Sequence, residues 1–281
     1  MRRRQNGFFL FPASLFRWFK PDICPVGLRS GEPFRAGFRI IRCGGKTMKH
    51  KLGLIILGCA AALALVGCED MGDLTTDSKT VEAAGAESVE VNLKMGAGEL
   101  QVSGGAQALM EAEFTHRTRR RPPEVDYRVA GSKGFLTVRQ RRGGGVFIGS
   151  SRNEWDIRIN SRIPTDLSID LGAGESRLDL AEVDLRSLSV DMGVGEMKLD
   201  LRGKHDRDLD VTIDGGIGSG TIYLPREVGV RVRVDGGIGS VDAHEFDKNG
   251  RVYTNDAYGK SPVTIDISVD AGIGSIDLRL D

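Results

Sequence analysis

The sequence has few of the residues that redox or metal chemistry would need. It contains four cysteines in 281 residues, and none lies beyond Cys68. Residues 69–281 therefore cannot form a disulfide framework or a thiol site. The three histidines beyond residue 68 are His116, His205 and His244, and no two of them stand at the spacing of zinc ligands. We expect no metal centre and no cofactor.

Motifs of catalysis are also missing. Gly216–Gly220 superficially resembles a phosphate-binding loop, but a dinucleotide site needs a following helix, and Thr221–Pro225 continues as a strand pattern. No Gly-x-Ser-x-Gly nucleophile motif occurs. The sequence therefore predicts a protein that is not an enzyme. A polysaccharide-active enzyme is the least favoured class, because such a site would need a cluster of different acids and a base along one groove.

Residues 1–67 contain few acidic residues, whereas acidic residues outnumber basic ones in residues 68–281. The whole chain is neutral, with 39 basic and 39 acidic residues, but residues 1–67 hold 12 of the basic and two of the acidic ones. Residues 68–281 therefore carry a net charge of −10. Nonspecific nucleic-acid binding requires a cationic surface, so we expect no nucleic-acid partner.

Only one long apolar run occurs, and it is too short to span a bilayer. Leu52–Val66 follows the basic start Met48-Lys49-His50-Lys51, as in a secretory signal peptide, whereas a membrane-spanning helix needs about 20 residues. The ending Leu65-Val66-Gly67-Cys68 resembles a bacterial lipobox, in which the cysteine receives acyl chains such as palmitate. We therefore predict lipid attachment at Cys68, facing the periplasm or the cell exterior. A plain secretory signal with an incidental cysteine is the alternative.

The segments on either side of this signal have no repeat pattern. We interpret residues 1–47 as an upstream artefact of start-codon choice, since Met48 leads directly into the signal at 48–67; a long basic leader is the alternative. Residues 68–88 are polar and rich in small side chains, which is typical of a tether.

A short motif recurs through the second half of the chain. Five copies share the pattern Asp-x-Gly-x-Gly followed by Glu or Ser, and their first glycines are separated by 21, 23, 21 and 35 residues. A sixth, degenerate copy begins with lysine at Lys94. The five full copies are Asp170-Leu171-Gly172-Ala173-Gly174, Asp191-Met192-Gly193-Val194-Gly195, Asp214-Gly215-Gly216-Ile217-Gly218, Asp235-Gly236-Gly237-Ile238-Gly239 and Asp270-Ala271-Gly272-Ile273-Gly274.

Apolar residues alternate with polar ones on both sides of each motif, as in Leu167-Ser168-Ile169-Asp170-Leu171. Alternation of this kind predicts half-buried strands, and the glycines suit a tight corner between them. The sequence therefore predicts an all-β protein, a β-solenoid of about six coils. An antiparallel meander, in which each corner is a hairpin turn, is the alternative.

The corner aspartates have two interpretations. The alternation predicts that they point outward, about 4.8 Å apart if the coils stack. Aspartate bonds readily to turn amides, so we favour a capping role over a ladder of calcium ligands.

The 35-residue interval contains an insertion between about Glu245 and Pro262. Asn249-Gly250 predicts a hairpin with a type I′ turn, either as cover for the solenoid edge or as a protruding contact loop that uses Tyr253 and Tyr258. A second candidate contact is the basic cluster Arg119, Arg120 and Arg121, which is either a solvated loop or a site for an anionic envelope polymer or lipid headgroups.

Two stretches resemble known bacterial envelope proteins. Val89-Glu90-Val91-Asn92-Leu93 and Gly96-Ala97-Gly98-Glu99-Leu100 resemble the toast-rack N-terminal domain, which we place at residues 89–150. The motif region 151–281 is similar to the C-terminal repeats of the LiaF-like cell-wall-active-antibiotic-response family, which is related to adhesin-like β-solenoids.

This resemblance implies a toast-rack-like solenoid without enzymatic activity, acting as a binding or structural, adhesin-like module of the cell envelope, with an envelope protein or anionic polymer as partner. For some members it implies regulation of an envelope-stress sensor kinase, which is the alternative function here. Those members have membrane-spanning helices where this chain has a lipid-attachment motif.

Overall fold

The computed structural model describes residues 73–117, 122–141 and 152–281, which belong to the compact unit Cys68–Asp281. These residues form β-strands joined by turns, without a helix in the described ranges. Within those ranges, accordingly, no helix could cross a membrane. The all-β prediction is confirmed. The strands are β1 (Leu74–Val81), β2 (Ser88–Ala106), β3 (Met110–Arg117), β4 (Glu124–Ala130), β5 (Lys133–Arg139), β6 (Asn153–Asn160), β7 (Thr165–Asp179), β8 (Leu185–Asp200), β9 (Leu209–Leu224), β10 (Gly229–Asp242), β11 (Asp247–Asn249), β12 (Val252–Thr254) and β13 (Thr264–Leu280).

Six long strands stack in parallel, and each contains one glycine corner. Their spatial order is β2, β7, β8, β9, β13, β10, and every neighbouring pair is parallel. The corner motifs lie in register, so that Asp170 lies beside Asp191 and Asp191 beside Asp214. The stacked interpretation is therefore correct, and the antiparallel meander is wrong.

The stacking order differs from the order along the chain at one point. The last strand, β13, lies between β9 and β10, and pairs Asp270 with Asp214 on one side and with Asp235 on the other. β10 is thereby displaced outward, where its first half pairs with β12. The insertion between β10 and β13 supplies the length of chain that this return requires.

The other end of the stack is closed by a different arrangement. The first half of β2 pairs with β5 and its second half with β6, so the outer edge of one bent strand is shared by two short ones. β6 pairs in turn with β3, and β3 with β1. β4 covers the far edge of β5.

The predicted tether at 68–88 is wrong for part of its length. Leu74–Val81 is a strand that pairs with β3 over all eight of its residues. The sequence analysis did not predict this strand, because it is rich in Thr, Ser and Asp. Polar contacts to the neighbouring strand take the place of apolar ones. The Thr76 hydroxyl lies 2.9 Å from that of Thr115, and Asp77 Oδ2 lies 2.7 Å from His116 Nε2.

One hydrophobic core runs along the inside of the stack. It contains the inward-facing residues of each strand, such as Leu167, Ile169 and Leu171, all at most 2% exposed. Burying a side chain of this size contributes roughly 1.5–3 kcal/mol before conformational entropy is subtracted. Near β6, Trp155 packs edge-on against Phe114, with ring centroids 5.5 Å apart.

The insertion forms the predicted hairpin, although its turn differs from the expected one. β11 and β12 pair so that Asn249 lies opposite Val252, which leaves Gly250 and Arg251 as the two central residues. Gly250 has φ of +62°, whereas Asn249 and Arg251 do not have positive φ. A positive φ at the first central residue alone is the pattern of a type II′ turn. The type I′ prediction is therefore wrong.

Candidate interaction surface at the glycine corners

The corner glycines are required because the stacked backbones approach closely. A Cβ atom on Gly193 would lie 2.3 Å from the carbonyl oxygen of Gly172, and one on Gly216 would lie 2.3 Å from that of Gly193. The second glycines form another such column, in which a Cβ on Gly195 would lie 1.7 Å from Gly174 O. Gly195 also has φ of +150°. No side chain larger than hydrogen fits in either column.

The aspartates before each corner form an outward-facing row. In spatial order they are Asp170, Asp191, Asp214, Asp270 and Asp235. The first four are exposed and the fifth is half-buried. Adjacent strands are about 4.8 Å apart, so the row is roughly 19 Å long.

The predicted capping role of these aspartates is wrong. Within the described residues, Asp170, Asp191, Asp214 and Asp270 accept no hydrogen bond from a turn amide and form no ion pair. The same ranges contain no group of three or more His, Cys, Asp or Glu side chains arranged to hold a metal ion. The row is thus an array of separate, solvated carboxylates.

Each end of the row lies next to a basic residue of the chain itself. At one end, Asp170 lies in register with Lys94 of β2, and Lys94 lies in register with Arg139 of β5. At the other end, Arg251 Nη1 donates to Asp235 Oδ1 at 2.5 Å. Within the described strands, the aspartates between these ends have other aspartates, and no basic residue, beside them in register.

Two side chains that the sequence analysis did not single out close the first corner. Gln140 Oε1 accepts a hydrogen bond from Gly96 N at 2.8 Å. Asn153 Nδ2 donates to Ala97 O at 2.6 Å, and Asn153 Oδ1 accepts from Trp155 Nε1 at 3.2 Å. At each later corner, the backbone of the preceding coil lies where Gln140 and Asn153 lie at this one. Only the missing sixth aspartate, replaced by Lys94, signals that this corner is terminal.

The tip of each corner, between the two glycines, carries an aliphatic residue. Ala97, Ala173, Val194 and Ile273 are all exposed, the last two at 51% and 52%. Ile217 and Ile238 occupy the same register position on β9 and β10. The residues at the corner tips are therefore all aliphatic and share one register position, three residues after the aspartates.

A polar groove of about 220 Å³ lies on the face formed by β3, β6, β2 and β7. Five acids line it with a single basic residue, Arg177; the acids are Glu99, Glu113, Glu154, Asp156 and Glu175. This composition concentrates part of the negative charge of residues 68–281 next to the first two corners.

Two carboxyl groups elsewhere on the stack, those of Glu90 and Asp200, have lowered pKa values. The hydrogen bond from the Lys133 ammonium, aided by one from Asn92, lowers the pKa of Glu90. Burial acts to raise the pKa of Asp200, but hydrogen bonds from the Arg202 side chain and backbone outweigh it and keep that pKa below its usual value. Glu90 therefore joins β2 to β5 as an ion pair, whereas Asp200 pairs with Arg202, which follows it by two residues in the chain.

A sequence profile of the N-terminal domain of toast_rack matches residues 70–223, which is more than half of the chain. The chain belongs to the toast-rack family. A second profile, of the C-terminal region of the cell wall-active antibiotics response protein LiaF, matches residues 172–278 of this toast-rack protein. The resemblance inferred from the sequence is confirmed, and no curated protein matches the sequence significantly.

The toast-rack protein is also similar to solved structures. A proposed cell adhesion protein from Clostridium sporogenes ATCC 15579 is 37% identical, with a TM-score of 0.72 over 74% of this chain and 100% of its own. A proposed adhesin from Bacteroides fragilis NCTC 9343 is 10% identical, with a TM-score of 0.25 over 74% of this chain and 97% of its own.

The two tyrosines predicted as contact residues of the toast-rack protein differ in exposure. Tyr253 is 5% exposed and belongs to the core, so its assignment to a contact loop is wrong; its β12 strand covers β10. Tyr258 is 36% exposed, and its hydroxyl accepts from Arg231 Nη1 at 3.3 Å. The predicted lipid site Cys68 and the cluster at 119–121 lie outside the described residues.

Proposed function

We propose that this toast-rack protein is a non-enzymatic, lipid-anchored protein of the cell envelope that acts as a binding or structural module, like an adhesin. The observation that carries the proposal is the in-register stack of six corners, five of which carry an aspartate at the same position. Repetition of this kind suits contact with an extended partner, whereas a catalytic site requires different groups that converge on one point.

The similarity to the C. sporogenes protein supports the adhesin-like role. That protein is 37% identical, and its whole length aligns with this chain, so the two share the stack itself and not a small fragment of it. Its description as a proposed cell adhesion protein favours a surface function for the present chain as well.

The position of the first strand bears on how the stack would be held at a membrane. Only five residues, 69–73, lie between Cys68 and Leu74, where β1 begins, and the six steps from Cys68 to Leu74 span about 20 Å when the chain is extended. If Cys68 carries the lipid, the β1 side of the sheet lies within that distance of the bilayer surface. The anchor then orients the stack as well as retaining it.

Membrane fractionation tests the anchored location. The wild-type protein should stay with the membranes after an alkaline wash, because acyl chains add ~0.8 kcal/mol of membrane affinity per buried methylene. Cys68→Ala should give either a soluble product or an uncleaved precursor that the wash removes. Retention of Cys68→Ala equal to that of wild type would contradict the proposal.

A second function has one observation in its favour, namely the match of residues 172–278 to the LiaF C-terminal region. On that account the protein restrains an envelope-stress sensor kinase. Deleting the protein should then switch on the stress-response genes in unstressed cells. An adhesin-like module predicts no such change, and predicts instead a loss of attachment or of envelope integrity.

A further inference from the structure

Strands cover one end of the stack completely but cover only half of the other end. The outer edge of β2 is paired with β5 along its first half and with β6 along its second half. At the opposite end, β12 pairs with the first half of β10, and this cover ends where Val234 N donates to Arg251 O at 2.9 Å. Beyond that point, Gly236–Asp242 pairs with β13 on one side, and no strand of the described ranges lies on the other. Gly236–Asp242 is therefore the open edge of β10.

The other free edges in the described part of the sheet carry charged residues, whereas the open edge does not. β1 carries Asp77 and Lys79, β4 carries two acids and an arginine, and two of the three residues of β11 are charged. Charged side chains on an edge strand oppose pairing with another chain. The six residues between Asp235 and Asp242 include no charged one. The open edge thus has backbone groups available for a further strand and lacks the charges that would oppose one.

A groove of about 200 Å³ follows the open edge and exposes the end of the hydrophobic core. Val234, Val241, Tyr253 and Ile276 supply the larger apolar side chains of its lining. Val241 is half-buried, whereas Ile276, in register with it on β13, is only 8% exposed. An apolar residue placed beside Val241 by one more strand would bury this end of the core, which favours pairing.

The charges at the end of the open edge favour a basic partner. Asp242 is exposed and lies in register with Asp277 of β13. Asp277 accepts a hydrogen bond from Arg279 Nη2 at 2.5 Å, whereas Asp242 lies 3.1 Å from Nε2 of His244, whose side chain is 91% exposed. Opposite charges on neighbouring strands stabilise their pairing, so a Lys or Arg suits the position beside Asp242.

The same charges disfavour a second copy of the chain as the partner. Residues 68–281 carry a net charge of −10, so two copies repel each other. Pairing two open edges would also bring the carboxylates of Asp235 and Asp242 from both copies into one small region, and like charges on facing strands are destabilising.

We propose that the open edge of β10 binds an extended segment of another protein, which adds to the stack as its next strand. Neighbouring residues of a strand face opposite sides of the sheet. The segment can therefore place an apolar side chain beside Val241 and a Lys or Arg beside Asp242. Main-chain hydrogen bonds supply affinity in such strand addition, and the alternate side chains supply specificity. This assignment rests on the proposed binding role and names the class of partner.

Fluorescence anisotropy with synthetic peptides tests the assignment. The probe is a labelled peptide of about ten residues, the length of a long strand, in which valine alternates with threonine and lysine. The full-length chain is kept in a mild detergent, and detergent alone supplies the background. We expect saturable binding. Methylating the backbone nitrogens on the pairing edge of the peptide removes their N–H groups and should weaken binding at least about tenfold, whereas methylation of the opposite edge should leave binding unchanged.

Matched variants test the two side-chain contacts. Asp242→Lys should weaken binding of the lysine peptide about threefold or more and strengthen binding of a peptide with glutamate in place of lysine. Val241→Thr keeps β-branching but places a hydroxyl in the groove, and it should weaken binding of both peptides. Asp126→Lys and Val129→Thr, at exposed sites on the free strand β4, should bind as wild type does. Circular dichroism confirms that each variant retains its strand content.

Hydrogen exchange locates the bound peptide. Amides that join a new backbone hydrogen bond exchange more slowly, so the peptide should slow exchange within residues 236–242. Exchange within β4, whose outer edge is also free in the described sheet, should not change.

Several results would overturn the assignment. They are no saturable binding, equal binding of the parent peptide and both N-methylated peptides, unchanged exchange at residues 236–242, or open edges that pair with a second copy of the chain in preference to the peptide. A protein that stays membrane-bound through Cys68 but fails these tests would retain the proposed location and lose only this docking site. Loss of membrane retention with intact peptide binding would mean the reverse.

Discussion

Gly193 lies so close to Gly172 that a Cβ atom on Gly193 would be 2.3 Å from the Gly172 carbonyl oxygen. The same contact recurs from strand to strand along the whole stack. It explains why the glycines recur in the sequence, and it holds the corner residues of different strands in one register. The row of aspartate side chains is a consequence of that register.

Two adjacent glycines of β9 should respond oppositely to alanine. Gly216→Ala places a Cβ 2.3 Å from Gly193 O, so the strands must separate, at a cost of roughly 1–3 kcal/mol or more in the free energy of unfolding. Gly215→Ala meets no atom within 4 Å and should stabilise by roughly 0.4–1 kcal/mol, because the unfolded chain loses freedom. Urea denaturation measures both. Equal effects would contradict the close stacking.

Asn153 should be essential to the end of the stack. Asn153→Ala leaves Trp155 Nε1 and Ala97 O without their partner, and a buried unsatisfied group costs about 1–3 kcal/mol. Thermal denaturation should show the loss. Asn249→Ala, at the exposed tip of the inserted hairpin, is the control and should change little. A stable Asn153→Ala protein would mean that the corner needs no cap.

Stability should fall in acid, partly through Asp200. Its pKa in the folded protein lies below the usual 3.8, despite burial, because Arg202 donates hydrogen bonds to it. A carboxylate with a lowered folded pKa stabilises the protein above its unfolded pKa, and this contribution is lost as the pH falls through the folded value. Asp200→Asn should therefore flatten the dependence of unfolding free energy on pH below about pH 4. Arg202→Gln should do the same, and an unchanged slope in both would contradict the pairing.

Calcium should not affect the fold. Neighbouring carboxylates about 4.8 Å apart repel each other by only ~0.9 kcal/mol in water, which the stack tolerates without a cation. The melting temperature should be the same in chelator and in excess calcium. A rise of several degrees with calcium would show binding to the folded state and would make the aspartate row a ligand ladder.

Much of the stack could be predicted from the sequence. The alternation around each Gly-x-Gly motif indicates where the strands lie, where each strand turns a corner and which side chains face inward. Leu167, Ile169 and Leu171 are buried as their spacing predicts. The order of the strands does not follow, since the corners at Asp214, Asp235 and Asp270 are nearly identical. Any of these corners could stack on another, and it is the path of the insertion that places β13 between β9 and β10.

Other misses have physical causes of the same kind. β1 was hidden because its pairing depends on cross-strand polar bonds such as that between Asp77 and His116. Tyr253 follows a turn signal that is typical of an exposed loop, but the hairpin folds back against β10 and buries it. The caps Gln140 and Asn153 act on a corner 40 or more residues away in the chain, and local patterns cannot report a contact of that range.

The most direct test of the central claim, that this toast-rack stack is held at the envelope by lipid, is the intact mass of the mature protein purified from membranes. We predict a chain that begins at Cys68, with a mass increased by acyl chains that fragmentation assigns to that residue. An unmodified mass, or a mature chain that begins elsewhere, would contradict the account and leave a secreted protein with the same fold.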